Sequence, residues 1–197
     1  MREVARRKST RPLGCDLPAA GYPATMADLD EPIILAPYAP AWAALGQELA
    51  QQVSSVLRGM PVAVEHIGST SVPGLDAKPV IDIQVGCQPV DASTAVERVK
   101  ELGFEHLGES GVPGREYLRR RSGQPTNVHV VEKDGRLWND SILFRDYLRT
   151  HPDAAARYAR VKHSAAREAS VLLAYSGLKA SALTEIMNAA RNGGHPR

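Results

Sequence analysis

The stretch Val62–Val85, V-A-V-E-H-I-G-S-T-S-V-P-G-L-D-A-K-P-V-I-D-I-Q-V, holds two β-branched runs joined by a loop of small residues. Val62–Ile67 and Val80–Val85 have the composition of strands, and Gly68-Ser69-Thr70-Ser71 opens the connection between them. The second run carries one carboxylate, Asp82, with Ile81 and Ile83 on either side. An ionised carboxylate withdrawn from water without a partner is costly or shifts its pKa. Two compensations are open. One is an ion pair with Lys78 or with an arginine of a later hairpin. The other is a divalent cation held beside bound phosphates. The loop bears on that choice, because its backbone N–H groups and three hydroxyls suit phosphate oxygens, and Lys78 adds a positive charge. The bland alternative is a polar turn with a capping serine. Neither a Walker A nor a dinucleotide fingerprint is present.

Outward from this stretch, periodicity supplies the other elements. Ile33-Ile34-Leu35 reads as a short extended lead. Trp42, Leu45, Leu49, Val53, Val56 and Leu57 recur at helical spacing, with Arg58-Gly59 as the stop. A second helix is expected over Asp91–Leu102, with Asp91 as cap and Gly103 as stop. Phe104–Leu107 suggests a third strand. Arg115–Arg121 and Asn127–Glu132 flank Ser122-Gly123-Gln124-Pro125 as an antiparallel hairpin. Helices follow over Leu137–Arg149, Pro152–Tyr175 and Leu178–Ala190, with Gly177 and Gly193 as punctuation. The expected class is α/β (α+β): a mixed sheet packed by helices, with a helical C-terminal third. Residues 31–192 form one domain, between an Arg-, Pro- and Gly-rich arm at 1–30, expected to be disordered, and a tail at 193–197. Met26 is an alternative start.

Of the 197 residues 43% are hydrophobic, enough for one core. Lys+Arg 24 against Asp+Glu 22 gives a net charge of +2, too weak a field to argue for nucleic acid or a membrane surface. No apolar run approaches the roughly 20 residues of a membrane span. Cys15 and Cys87 lack metal-type spacing, so a reducing, cytoplasmic setting is expected. No oligomeric state is assigned.

Further site residues come from the same alternation. Val80, Asp82 and Gln84 share one face of their strand; Asn127, His129 and Val131 share one face of theirs. His129 could ligate a metal or act as a base near neutral pH, with Glu116 and Glu132 ranked below it. His66 and Glu65 flank the loop, where His66 could reach Asp82 or a phosphate. Arg119 and Arg121, with Tyr117, offer triphosphate or anionic-substrate contacts. Arg145, Arg149, Arg157, Arg160, Lys162 and Arg167, interleaved with acids, read as solvated helix surface.

Glu65–Leu75 together with Ala77–Ile83 resembles the GrpB family, a domain also seen fused behind some dephospho-CoA kinases. The Gly-Ser loop followed by a strand Asp is similar to the nucleotidyltransferase superfamily signature. The resemblance continues at Pro37–Trp42, Val128–Val131 and Leu143–Arg149, and covers roughly residues 33–180. Tyr158 with Lys162 and Tyr175 with Lys179 also resemble family positions that would line a pocket against the sheet. The resemblance implies a nucleotidyltransferase-like fold without settling a reaction; on that fold the first expectation is a metal-assisted, nucleotide-dependent transferase acting on a small-molecule acceptor. It would use ATP or another NTP with Mg²⁺ or Mn²⁺, and involve neither nucleic acid nor membrane. Asp82, His129 and Gln84 would be catalytic, with Asp82 on the metal. Gly68, Ser69, Thr70, Ser71, Lys78, His66, Arg119 and Arg121 would hold the nucleotide. The superfamily's second carboxylate is replaced here by Gln84 or Val80. An amide holds a metal weakly, so one ion is expected, or none until a nucleotide brings its own. The alternatives are a catalytically degenerate nucleotide- or partner-binding module and an ATP-dependent small-molecule ligase on the same scaffold.

Overall fold

The computed structural model describes residues 33–169 and 172–193. The expected arm at 1–30, the alternative start at Met26 and the tail past Gly193 lie outside them. The apolar stripe of the first helix forms α1 (Ala41–Val56), which buries Trp42, Gly46, Leu49 and Val53. The two β-branched runs become β1 (Ala63–Ile67) and β2 (Ile81–Cys87), paired antiparallel with Ile67 opposite Asp82. After α2 (Ala92–Lys100) come β3 (Glu105–His106), β4 (Arg115–Arg120) and β5 (Thr126–Glu132). The sheet order is β1-β2-β5-β4-β3. β5 lies parallel to β2, with Asp82 beside Asn127 and Gln84 beside His129, and antiparallel to β4. This is the mixed sheet the sequence leads one to expect.

Alternation along β2 divides the molecule into layers. Ile81, Ile83, Val85 and Cys87 point into the core shared with α1, α2, Leu118, Val128 and Val130. Asp82, Gln84 and Gly86 take the other face, covered by α3 (Arg136–Thr150), α4 (Pro152–Glu168) and α5 (Leu172–Arg191). α3 comes so close at Gly86 that a Cβ there would lie 2.6 Å from the Trp138 ring. These helices have a core of their own, built on Tyr147, Leu148, Ala154, Tyr158 and Ile186. Val72 and Leu75 of the β1–β2 connection insert into it, so the loop that begins at Gly68 is anchored in the helical layer.

Three expectations need correction. Asp91 makes no side-chain cap bond; it ends a 3₁₀ turn, Pro89–Asp91, in right-handed backbone, whereas capping side chains work from an extended one. The helix starting at Pro152 does not run to Tyr175. It ends at Glu168, where Ala169 turns extended, and α5 passes through Gly177. Gly177 is exposed with open space around its Cα, a setting in which a helical glycine costs only about 1 kcal/mol. Nor are the C-terminal cations simply solvated surface, since Arg145 is 8% exposed and Lys162 only 2%.

Candidate phosphate-binding site

Gly68 ends β1 with φ +71, a left-handed conformation that favours glycine. It also lies directly over Asp82: a Cβ would sit 2.5 Å from Asp82 Oδ2. The Gly-Ser loop and the strand carboxylate, 14 positions apart, are thus one feature in space. Asp82 Oδ1 accepts hydrogen bonds from Asn127 Nδ2 at 2.7 Å and His129 Nε2 at 3.3 Å. Burial by itself would raise the carboxyl's pKa. The His129 and Asn127 bonds and the charge of Lys78 outweigh it and hold Asp82 below the ordinary carboxylate value. Of the two compensations left open, this is nearer the ion pair, although the direct partners are an imidazole and an amide rather than Lys78 or an arginine.

Beside Asp82 lies a cavity of about 90 Å³ bounded by Ser69, Thr70, Lys78, Lys162, Tyr175 and Lys179, with Asn127 also in its wall. Lys78 comes from the end of the β1–β2 connection, Lys162 from α4 and Lys179 from α5. Lys162 Nζ donates to the Asp76 carbonyl and lies 5.4 Å from the Tyr158 ring centre; Lys179 Nζ lies 4.2 Å above the Tyr175 ring. Desolvation, then repulsion from Lys179, lowers the Lys162 pKa to about 7 despite Asp76 and Asp82. Desolvation and Lys78 bring Lys179 down to about 8. Perturbed ammonium groups gathered in a cleft mark a candidate anion site.

A second cavity, about 330 Å³, adjoins the first and shares Ser69, Asp82 and Lys179 with it. Its remaining wall is largely apolar, with Phe144, Tyr158, Leu183 and Met187. Asp140 of α3 also lines it and is paired with Arg191 at 2.7 Å.

The sequence-derived residues divide on this geometry. Gly68, Ser69, Thr70, Lys78 and Asp82 come together. Ser71 turns inward and donates its hydroxyl to the Gly68 carbonyl at 2.6 Å. His66 faces α1, where its ring fills the space a Cβ of Gly46 would occupy, and shares a 3.0 Å hydrogen bond with Thr70 Oγ1; burial takes its pKa down to about 4. It braces the loop from behind and does not reach Asp82. His129 stands behind Asp82, 5.4 Å from the Tyr117 ring, and bears on the cavity only through that carboxylate. Gln84 is on the Asp82 face but 1% exposed beneath α3, donating to the Trp138 carbonyl at 3.3 Å. Arg119 pairs with Glu105, and Arg121 lies past the end of β4, bonded to the Arg120 and Thr126 carbonyls; neither lines a cavity at Asp82. Glu116 bonds His106 on the far face, and Glu132 is at the other end of β5.

What sequence reasoning missed is Asn127, which donates to Asp82 and accepts from Tyr117 Oη at 2.8 Å; its place on the His129 face was the available signal. It also missed the clamp formed by α3. Arg145 donates to Glu65 at 2.7 Å and to the His66 carbonyl at 3.1 Å, and Arg149 donates to the Ser71 carbonyl at 2.9 Å. These arginines hold the loop at both ends.

Among the described residues no group of three or more His, Cys, Asp and Glu is placed to hold a metal. No helix among the described residues is long and apolar enough to cross a membrane.

Comparison with known proteins agrees with the motif reading. The family model described as GrpB protein matches residues 32–189, and the chain belongs to that family. The UPF0157 protein YqkA of Bacillus subtilis is 35% identical over 66% of this chain, which spans 39% of that relative's length. A UPF0157 protein of Halalkalibacterium halodurans is 35% identical, with 80% of this chain and 82% of the relative covered. A dephospho-CoA kinase of Mycolicibacterium paratuberculosis is 29% identical over 70% of this chain and 40% of its own length, in keeping with the fused relatives the motif implies. The crystal structure of conserved protein GrpB from Enterococcus faecalis superposes with a TM-score of 0.72 at 32% identity, covering 81% of this chain and 98% of that one. A cytoplasmic RNA terminal U-transferase, 14% identical with a TM-score of 0.47, is too distant to carry an argument.

Proposed function

We propose that this chain is a nucleotide-dependent transferase whose smaller cavity takes the phosphates of ATP or another nucleoside triphosphate. One observation carries the reading: Lys78, Lys162 and Lys179, from three separate segments, converge with the Ser69–Thr70 loop on a cavity floored by Asp82. Lys162 and Lys179 are desolvated there and each is destabilised by a neighbouring ammonium; an anion with two or more charges removes that penalty. Asp82 then stands at the edge of that cavity, next to the reacting phosphorus. Asn127 and His129 orient it; His129 is a positioning residue here, while Ser69 and Thr70 contact the phosphates. Mg²⁺ or Mn²⁺ bound to the nucleotide would take Asp82 as its protein carboxylate and neutralise phosphate charge.

A second reading, a binding module without chemistry, is favoured by Gln84. Of the two residues that could stand in the place of a second carboxylate, Gln84 is buried under Trp138 and bonded to its carbonyl, and Val80 has no ligating side chain. The two are separated by incubating the chain with ATP, Mg²⁺ and a pool of small alcohols and amines while following pyrophosphate release. Release that is lost in Asp82→Asn and reduced in Ser69→Ala supports transfer. Tight ATP binding that is indifferent to both substitutions, with no release, supports the binding module.

A further inference from the structure

We propose that the larger cavity is the acceptor subsite, and that the acceptor is a small hydroxyl compound, an alcohol or phenol, with an apolar or aromatic body, a donor or cationic far end, and no anionic group. The proposal rests on the nucleotide reading above and adds the substrate class to it.

Three observations lead there. The cavities are separate spaces that meet at Ser69, Asp82 and Lys179. Displacement at phosphorus runs roughly in line, with the attacking and leaving oxygens on opposite sides. With the leaving phosphates among the lysines, the attacking oxygen needs a neighbouring space that also reaches Asp82, and the larger cavity is such a space. Size agrees: about 90 Å³ accommodates phosphoryl groups, whereas about 330 Å³ falls within the range of small-molecule pockets.

The walls define the chemistry. Phe144, Tyr158, Leu183 and Met187 offer a ring or an alkyl body an apolar enclosure. Asp82 and Asp140 place two carboxylates in the chamber against the single ammonium of Lys179, which disfavours an anionic acceptor. Asp140 is already balanced by Arg191 and serves as a hydrogen-bond acceptor for a donor or cationic end. In the transfer the acceptor hydroxyl oxygen bonds to the α-phosphorus and the bond from that phosphorus to the pyrophosphate oxygen breaks. The hydroxyl proton is released to solvent, and pyrophosphate leaves from among the lysines.

The probe is tyramine, with 4-hydroxyphenylacetate as its anionic counterpart, titrated by NMR into the full chain with and without ATP and Mg²⁺; ATP affinity is measured by calorimetry. Leu183→Arg alters the chamber at a position 41% exposed, where folding tolerates it, and Asp140→Asn removes the far carboxylate. Tyramine should bind saturably, with ATP present, at least about tenfold more tightly than the acid. Both substitutions should weaken tyramine, Leu183→Arg by at least about tenfold, while ATP affinity stays within about twofold. Competition between tyramine and ATP, with Leu183→Arg weakening both, would make the chamber a nucleoside pocket and overturn the proposal. Binding of ATP with no preference for tyramine over the acid would overturn the acceptor class and leave the nucleotide reading standing. Failure of ATP to bind the unsubstituted chain would remove both.

Discussion

Asp82 is held ionised by an amide and an imidazole, and its chemistry is set by that small shell. Replacing it with asparagine keeps the shape and removes the charge. Asp82→Asn should weaken ATP binding in the presence of Mg²⁺ by at least about tenfold, roughly 1.4 kcal/mol, as read by calorimetry. Tighter binding would mean that the carboxylate only repels phosphate. Lys162 and Lys179 give a second expectation. With pKa values near 7 and 8, both are partly neutral at pH 8, and a bound polyphosphate pulls them back to the charged form. ATP binding at pH 8 should therefore take up protons, giving an enthalpy that varies with the buffer's ionisation enthalpy, and affinity should fall as pH rises from 7 to 9. Equal enthalpies in HEPES and Tris would contradict the assignment. Lys162 and Lys179 were legible as motif positions, but their perturbation was not. It arises from burial and from charges that the fold brings together, Lys179 beside Lys162 and Lys78 beside Lys179.

At the scale of elements, the loop is the strained part and α3 its restraint. Gly68→Ala has to accommodate φ +71 and a Cβ 2.5 Å from a carboxylate oxygen, so the variant should lose ATP binding and melt at a lower temperature than the unsubstituted chain. Unchanged values for both would show that loop and strand move apart freely. Arg145→Met leaves the Glu65 carboxylate and the His66 carbonyl without the guanidinium between them. Removing one partner of a buried pair costs about 3–5 kcal/mol; because Glu65 is 41% exposed, a loss of about 2–3 kcal/mol is expected from urea denaturation. Helix boundaries were legible wherever an apolar stripe ended at a left-handed glycine, as at Gly59 and Gly103. They were misread at Gly177, where the residue type was the same but the chain had no tertiary reason to turn.

For the molecule as a whole, pH reports how the layers share charge. His66, Lys162 and Lys179 are bases whose folded pKa values lie below their ordinary ones. Between the folded and unfolded values the unfolded chain binds more protons, so stability rises with pH. His66 acts from about pH 4 to 6.5 and the lysines from about 7 or 8 to 10.5. Asp82 and Asp76, held low, lose their contribution only as pH falls through their depressed values. Unfolding free energy should therefore increase from pH 5 to pH 9, and saturating ATP should flatten the upper part of that rise by charging the lysines. A fall over the same interval would show that these groups are solvated in the folded chain.

The sequence by itself determined the strands, the first helix, the mixed sheet and the pairing of a glycine loop with a strand carboxylate. The physical reason is local: side-chain direction follows the backbone period, so the apolar positions of β2 and α1 name their faces without reference to the rest of the chain. The tertiary structure decided which polar residues meet. The β2–β5 register put Asn127 beside Asp82 and α3 covers Gln84, and the packing of α4 and α5 on the sheet brought Lys162 and Lys179 to the distant Ser69–Thr70 loop. Arg119, Arg121 and Lys162 all look like surface cations in a linear pattern. Only the three-dimensional arrangement of carbonyls and carboxylates around each decides which are occupied as braces and which face a cavity, because electrostatic partnership depends on distance through space, which strand register and helix packing set and local periodicity does not carry.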